Sequence, residues 1–159
     1  MTESEQITDQ LERAFAGEPW FGSSVMAVLA GVSAETAGAF PIPGGHSIWE
    51  LVLHMTGWKT EVLARFDGHL AGDPPGGDWP AQPVRVTQEG WQGALAALQV
   101  AHDGLVTAVR QASPTHLHGL VNDPRQGSGL TQWQTLHGVV QHDAYHLGQI
   151  SLLRRAMGA

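Results

Sequence analysis

The stretch Gln141-His142-Asp143-Ala144-Tyr145-His146-Leu147-Gly148-Gln149-Ile150, near the C-terminus, sets two histidines four residues apart in a helical pattern. A helix turns once in about 3.6 residues, so both imidazoles leave the same side of the rod, one above the other. Along the same segment Leu136, Val139, Val140, Leu147, Ile150 and Leu153 fill one broad apolar arc. His142 and His146 sit at its edge and His137 falls well away. The helix begins at a capping-box match, Thr131-Gln132-Trp133-Gln134, and runs to about Arg155, where two arginines suit the negative end of the helix dipole. The paired imidazoles can grip one metal ion from two sides, but two ligands rarely suffice, so a third should come from another helix.

Working outward, the best candidate for that ligand is His54. It follows the loop Pro41-Ile42-Pro43-Gly44-Gly45 and a second capping box, Ser47-Ile48-Trp49-Glu50. The helix so opened is expected to reach about Gly68, with Ile48, Leu51, Met55, Trp58, Val62 and Phe66 as its core stripe. His54 lies at one margin, with Glu50 about one turn before it and Glu61 two turns after. Both carboxylates are watched as possible bases or supporting groups, although surface carboxylates are the commoner outcome.

Residues 3–16 have helical spacing, with Ile7, Leu11, Ala14 and Phe15 on one face. Gly17 and Pro19 interrupt it, residues 24–30 form a second piece that continues the rod, and Ser33 caps a short turn through Ala37. Residues 68–83 hold so many glycines and prolines that they must be a loop, long enough to be functional or mobile. Thr87 opens another long helix with Trp91, Leu95, Leu98, Leu105 and Val109 on its stripe, and Ser113-Pro114 ends it. Residues 115–129 are a second long connection, extended around 117–121. Four long helices and few strand-like runs predict an all-α four-helix bundle, one domain over residues 1–159.

At 159 residues and 42% apolar, the chain is long enough for one sizeable core. No apolar run approaches the roughly 18 residues a bilayer requires, and the polar N-terminus is unlike a signal peptide, so no membrane association and a cytoplasmic location are expected. Fifteen acids against eight bases give a net charge of −7, and Lys59 is the only lysine; this lacks the basic footprint of a nucleic-acid binder. With no cysteine, thiolate nucleophiles and Cys-based zinc sites are excluded, and any thiol chemistry must use a thiol that arrives with a substrate. The nine histidines are the leading metal ligands.

A single buried histidine more often just finds a hydrogen-bond partner than binds metal, and an i,i+4 pair alone is evenly balanced. Periodicity therefore supports a His54–His142–His146 triad without establishing it. His102, on the apolar stripe of its helix, is a possible fourth ligand but more often a core histidine. His116 and His118 belong to the loop, and His46 and His69 to helix ends. Asp143 falls inside the apolar arc: either it orients a ligand imidazole, or the helix is rotated from the wheel estimate.

The segment from Ser47 to His54, joined to His142-Asp143-Ala144-Tyr145-His146-Leu147-Gly148-Gln149-Ile150, resembles the DinB/YfiT-like superfamily over essentially the full chain. The resemblance implies a four-helix bundle with a divalent metal, Ni2+ or Zn2+, on His54, His142 and His146. It also implies open positions filled by water, and often a homodimer. The family includes low-molecular-weight-thiol transferases and many proteins named as metal-dependent hydrolases. The expected function is therefore that of a metal-dependent enzyme of the thiol-transferase type acting on a small molecule. A metal-dependent hydrolase is the alternative, and a non-catalytic metal-binding bundle or a purely structural one are the others. No G-x-S-x-G nucleophile motif is present, Gly127-Ser128-Gly129 not matching it, and no P-loop or dinucleotide fingerprint occurs.

Overall fold

The structure, a computed structural model, describes residues 1–124 and 129–158, so Gly127 and Ser128 lie outside the described residues. Four long helices carry the architecture: α1 (Glu3–Phe15), α4 (Ile48–Phe66), α5 (Gln88–Arg110) and α7 (Gln132–Ala156). Three short ones fill the connections: α2 (Val25–Leu29), α3 (Ala34–Gly38) and α6 (Pro114–Leu117). Among the described residues there is no strand, only an isolated antiparallel bridge between Leu120 and Thr131. None of the described helices is long and apolar enough to cross a membrane. The fold is a four-helix bundle, as the helical spacing predicts.

The helix starts follow from local chemistry. Ser47 accepts from the Glu50 amide while the Glu50 carboxylate takes the Ser47 amide, and Thr131 with Gln134 repeats the device on α7. Each such cap satisfies amides that would otherwise be orphaned and contributes about 1 kcal/mol. Thr2 and Glu5 form a third capping box on α1. Three sequence expectations need correction. Residues 24–30 do not prolong α1; Val25–Leu29 is a separate helix packed against α7, and Arg154 Nη1 donates to the Val28 carbonyl at 2.5 Å. Ser113-Pro114 ends α5 but also starts α6, with Ser113 as cap and Pro114 in the first turn, where its missing N–H costs nothing. The extended stretch expected around 117–121 is shorter than that: Leu117 closes α6 and His118 keeps helical angles, and pairing begins only at Leu120, with the Val121 amide donating to the Leu130 carbonyl at 2.8 Å.

The core is divided. One apolar cluster gathers Phe15, Leu29, Trp49, Trp91, Leu98 and Ile150; the other gathers Ile7, Leu11, Phe66, Leu105, Leu117 and Leu136. Each fully buried large side chain in them stabilises the fold by about 1.5–3 kcal/mol relative to exposure. Between the clusters in helix order lie buried polar residues: Lys59 on α4, His102 on α5, and Asp143 and His146 on α7. Helices α4 and α7 run antiparallel, since His54 meets His142, Lys59 meets Asp143, and Gln132 Nε2 donates to the Arg65 carbonyl at 3.0 Å. That register sets which side chains meet at mid-bundle.

Candidate metal centre

His54 leaves α4, and His142 and His146 leave α7, at the level where the two helices face each other. The Nε2 atom of His142 is 3.0 Å from Nε2 of His54 and 3.0 Å from Nε2 of His146. His54 and His146 are buried and His142 half-buried. The second ring nitrogens explain the orientation. His54 Nδ1 donates to the Asp78 carbonyl at 2.5 Å, and His146 Nδ1 donates to Gln149 Oε1 at 2.6 Å. A carbonyl oxygen only accepts, so in both neutral rings the proton sits on Nδ1 and the Nε2 lone pair faces the cluster. At most one proton, on His142, remains for two N···N contacts, and one contact is left with lone pairs opposed.

A divalent cation resolves that opposition. Nitrogens each about 2.0–2.1 Å from one ion lie about 3 Å apart, as His142 Nε2 does from each of the other two. Burial, followed by the charges of His146, His54 and Lys59, holds the His142 imidazole down at about 3. Burial also lowers His146, partly offset by its hydrogen bond to Gln149. Near neutral pH both rings are therefore neutral, and each has a lone pair to offer. The donor set, its tautomers and its enclosure all fit a divalent metal ion.

A loop covers the site. In residues 67–87, Trp79 stacks on His54 with ring centroids 3.9 Å apart and 8° between planes. It also stacks on His46, at 3.7 Å and 3°, and meets His146 edge-on at 5.8 Å. Trp58 Nε1 donates to Asp78 Oδ1 at 2.8 Å, Ser47 Oγ to Gln82 Oε1 at 2.5 Å, and the Gly72 amide to Glu61 Oε1 at 2.7 Å. Each bond ties the loop to α4 or its cap, so a segment without secondary structure still holds His54 from behind.

The other sequence candidates fall elsewhere. Asp143 does not bond an imidazole; its Oδ2 accepts from Lys59 Nζ at 2.5 Å, and both side chains are 1% exposed. The orienting role expected of it belongs to the Asp78 carbonyl and Gln149. The reason is rotational: Asp143 follows His142 by about 100° and points into the bundle instead of along the cluster. His102 is not in the cluster but stacks on Phe15 at 3.8 Å. Glu50 is engaged by His46 Nδ1 at 3.0 Å and by its capping role, and Glu61 by Arg65 Nε at 3.0 Å. His116 Nε2 donates to the Phe66 carbonyl and His118 pairs with Glu3.

Sequence reasoning missed three residues here. Gln149 had a signal, standing three residues after His146 on the same helix face. Lys59 had one too: the chain's single lysine sits amid a helix otherwise rich in apolar residues. Trp79 had none, because its place depends on the path of a loop.

Comparison with known proteins identifies the family and the fold. The model of the DinB superfamily matches residues 22–150. Among solved structures, YfiT from Bacillus subtilis superposes with a TM-score of 0.62 at 18% identity, covering 98% of this chain and 84% of that one. It is described as "a probable metal-dependent hydrolase with an unusual four-helix bundle topology". No curated protein matches the sequence. With the family model spanning most of the chain, including all three histidines, the protein belongs to the DinB superfamily.

Proposed function

We propose that this protein is a divalent-metal-dependent enzyme that hydrolyses a small-molecule substrate, with the ion on His54, His142 and His146. The observation that carries the reading is the convergence of three Nε2 atoms, that of His142 3.0 Å from those of both His54 and His146, with the Nδ1 protons of two rings directed away from the cluster. An ion held there supplies Lewis acidity toward a carbonyl and toward water or a thiol. The protein's own groups supply the rest: Gln149 and the Asp78 carbonyl fix the imidazoles, and Trp79 shields them from solvent. Zinc and nickel both suit three imidazoles. The structural likeness to YfiT, described as "a probable metal-dependent hydrolase", favours water as the acceptor.

A second reading, transfer to a low-molecular-weight thiol, has its own support. Glu50, Glu61 and Asp143 are all committed to cationic or capping partners, which leaves little to act as a base toward water. A thiol with a pKa near 8.5 ionises far more readily than bulk water at about 15.7. The test begins with metal content by plasma mass spectrometry on tag-free protein beside His54→Ala and His142→Ala. About one equivalent in the parent, and marked loss in both folded variants, is expected. The loaded protein is then assayed on p-nitrophenyl acetate with and without a small thiol. A parent that neither carries nor takes up zinc or nickel would sink both readings.

A further inference from the structure

We infer that the cavity between α4 and α7 binds an uncharged acyl or alkyl chain of the substrate whose reacting end meets the three histidines. This rests on the metal-dependent reading above and extends it to substrate class. The cavity measures about 250 Å³, and its wall includes Trp58, Val62, Leu130, Gly138, Val139 and His142. His142 joins it to the metal centre: the residue whose imidazole faces His54 and His146 also lines the cavity. From there it follows α7 through Gly138 and Val139 to Gln134 and Thr135. The seven helical steps from His142 to Thr135 span about 10 Å. Sites that enclose a whole drug-sized ligand run to about 300–1,000 Å³, so this cavity takes part of a substrate.

Charge selects the occupant. Lys59 and Arg65 also line the wall, but neither cation is free. Lys59 is paired with Asp143, while Arg65 donates to Glu61 at 3.0 Å and to the Gly72 carbonyl at 2.8 Å. An anionic substrate group would have to compete with carboxylates already in place, whereas an apolar chain meets Trp58, Val62 and Val139 directly.

Gly138 supplies an independent observation. In mid-helix, glycine costs about 0.5–1 kcal/mol relative to alanine, so its presence in α7 is unfavourable in itself. A Cβ built on Gly57, Gly90 or Gly104 would press on a neighbour at 3.0–3.3 Å, which accounts for those helical glycines by close packing. A Cβ on Gly138 would meet nothing within 4 Å, as on Gly93 and Gly148, but those two are exposed whereas Gly138 is half-buried and lines the cavity. This half-buried glycine therefore widens the cavity and relieves no clash.

The test uses the full chain and its Gly138→Leu variant, which fills the space from a position of higher helix propensity; Gly138→Ala is the milder companion should leucine prevent folding. Zinc-loaded protein is titrated with acetohydroxamate and with hexanohydroxamate, which share a metal-binding head and differ in chain length. In the parent, hexanohydroxamate is expected to bind at least tenfold more tightly, since each methylene buried contributes about fourfold. Gly138→Leu should retain acetohydroxamate binding and lose the advantage of the longer chain, and Gly138→Ala should reduce it. Equal affinities in the parent, or an advantage that survives leucine, would overturn the proposal. If zinc-loaded parent binds no acetohydroxamate, the metal reading fails, and the cavity is judged on metal-free protein titrated with 1-hexanol. A saturable shift of the Trp58 indole N–H resonance, lost in Gly138→Leu, supports it, and no shift overturns it.

Discussion

Lys59 Nζ lies 2.5 Å from Asp143 Oδ2, across the α4–α7 contact, with both side chains 1% exposed. This buried ion pair sits one residue from a metal-ligand candidate and between the two apolar halves of the core. Removing one partner strands the other charge in a dry environment, which costs about 3–5 kcal/mol. Lys59→Met or Asp143→Asn should therefore lower the denaturation midpoint strongly, read by urea titration. The double variant Lys59→Met/Asp143→Leu should recover much of that loss, because two apolar groups leave no charge uncompensated. If the single variants are as stable as the parent, the pair does not hold the register of α4 on α7.

The imidazole orienters lead to a second expectation. Gln149 Oε1 accepts from His146 Nδ1 at 2.6 Å and so directs Nε2 toward the cluster. Gln149→Leu keeps the volume and removes the acceptor. Supporting hydrogen bonds of this kind are worth about 10–100-fold in metal affinity. Competition with a chromophoric chelator should show that loss, while far-ultraviolet circular dichroism remains that of the parent. Unchanged affinity would mean that α7 alone orients His146.

Trp79 stacks on His54 at 3.9 Å and on His46 at 3.7 Å, capping the cluster from the loop. In Trp79→Ala the centre opens to solvent with its three nitrogens intact. Metal release to excess chelator should be faster by about tenfold or more, since one aromatic stack contributes about 0.5–1.5 kcal/mol and this ring makes two. Stoichiometry should remain one. Stopped-flow mixing measures the rate, and identical release from parent and variant would deny Trp79 a covering role.

Metal binding should also stabilise the fold, because a centre shared between α4 and α7 exists only when they are packed. Free ion at about a hundred times its dissociation constant adds about 2.7 kcal/mol. Differential scanning calorimetry should show a higher midpoint with zinc or nickel, reversed by chelator and absent in His54→Ala.

His102 gives the protein a dependence on pH that is separate from the metal. Burial, then the charge of Lys59, pushes its imidazole down to about 3, and its Nδ1 has no hydrogen-bond partner among the described residues. Between that value and the unfolded value near 6.5, the unfolded chain binds the proton and the native chain does not. This contribution to stability is complete above about pH 6.5 and is lost as pH falls toward 3, at up to about 1.4 kcal/mol per pH unit. His102→Leu should flatten the fall in denaturation midpoint between pH 7 and pH 5, measured on metal-free protein. An unchanged slope would show that His102 is not buried in neutral form.

The sequence by itself determined the helices and half of the centre. Capping boxes at Ser47 and Thr131, apolar spacing at three and four residues, and the four-residue step from His142 to His146 are local properties, fixed by helical geometry wherever the helix packs. The same locality placed His102 on a buried stripe. The tertiary structure decided what crosses between helices. His54 meets His142 across a sequence separation of 88, and Asp143 turns to Lys59 across one of 84. Trp79 reaches His54 from a loop that has no period at all. A helical wheel gives each side chain an angle about its own axis; it carries no information on the register of α4 against α7 or on a loop's path. Those are set by packing of the whole core, and they turn two imidazoles on one rod into a three-nitrogen site.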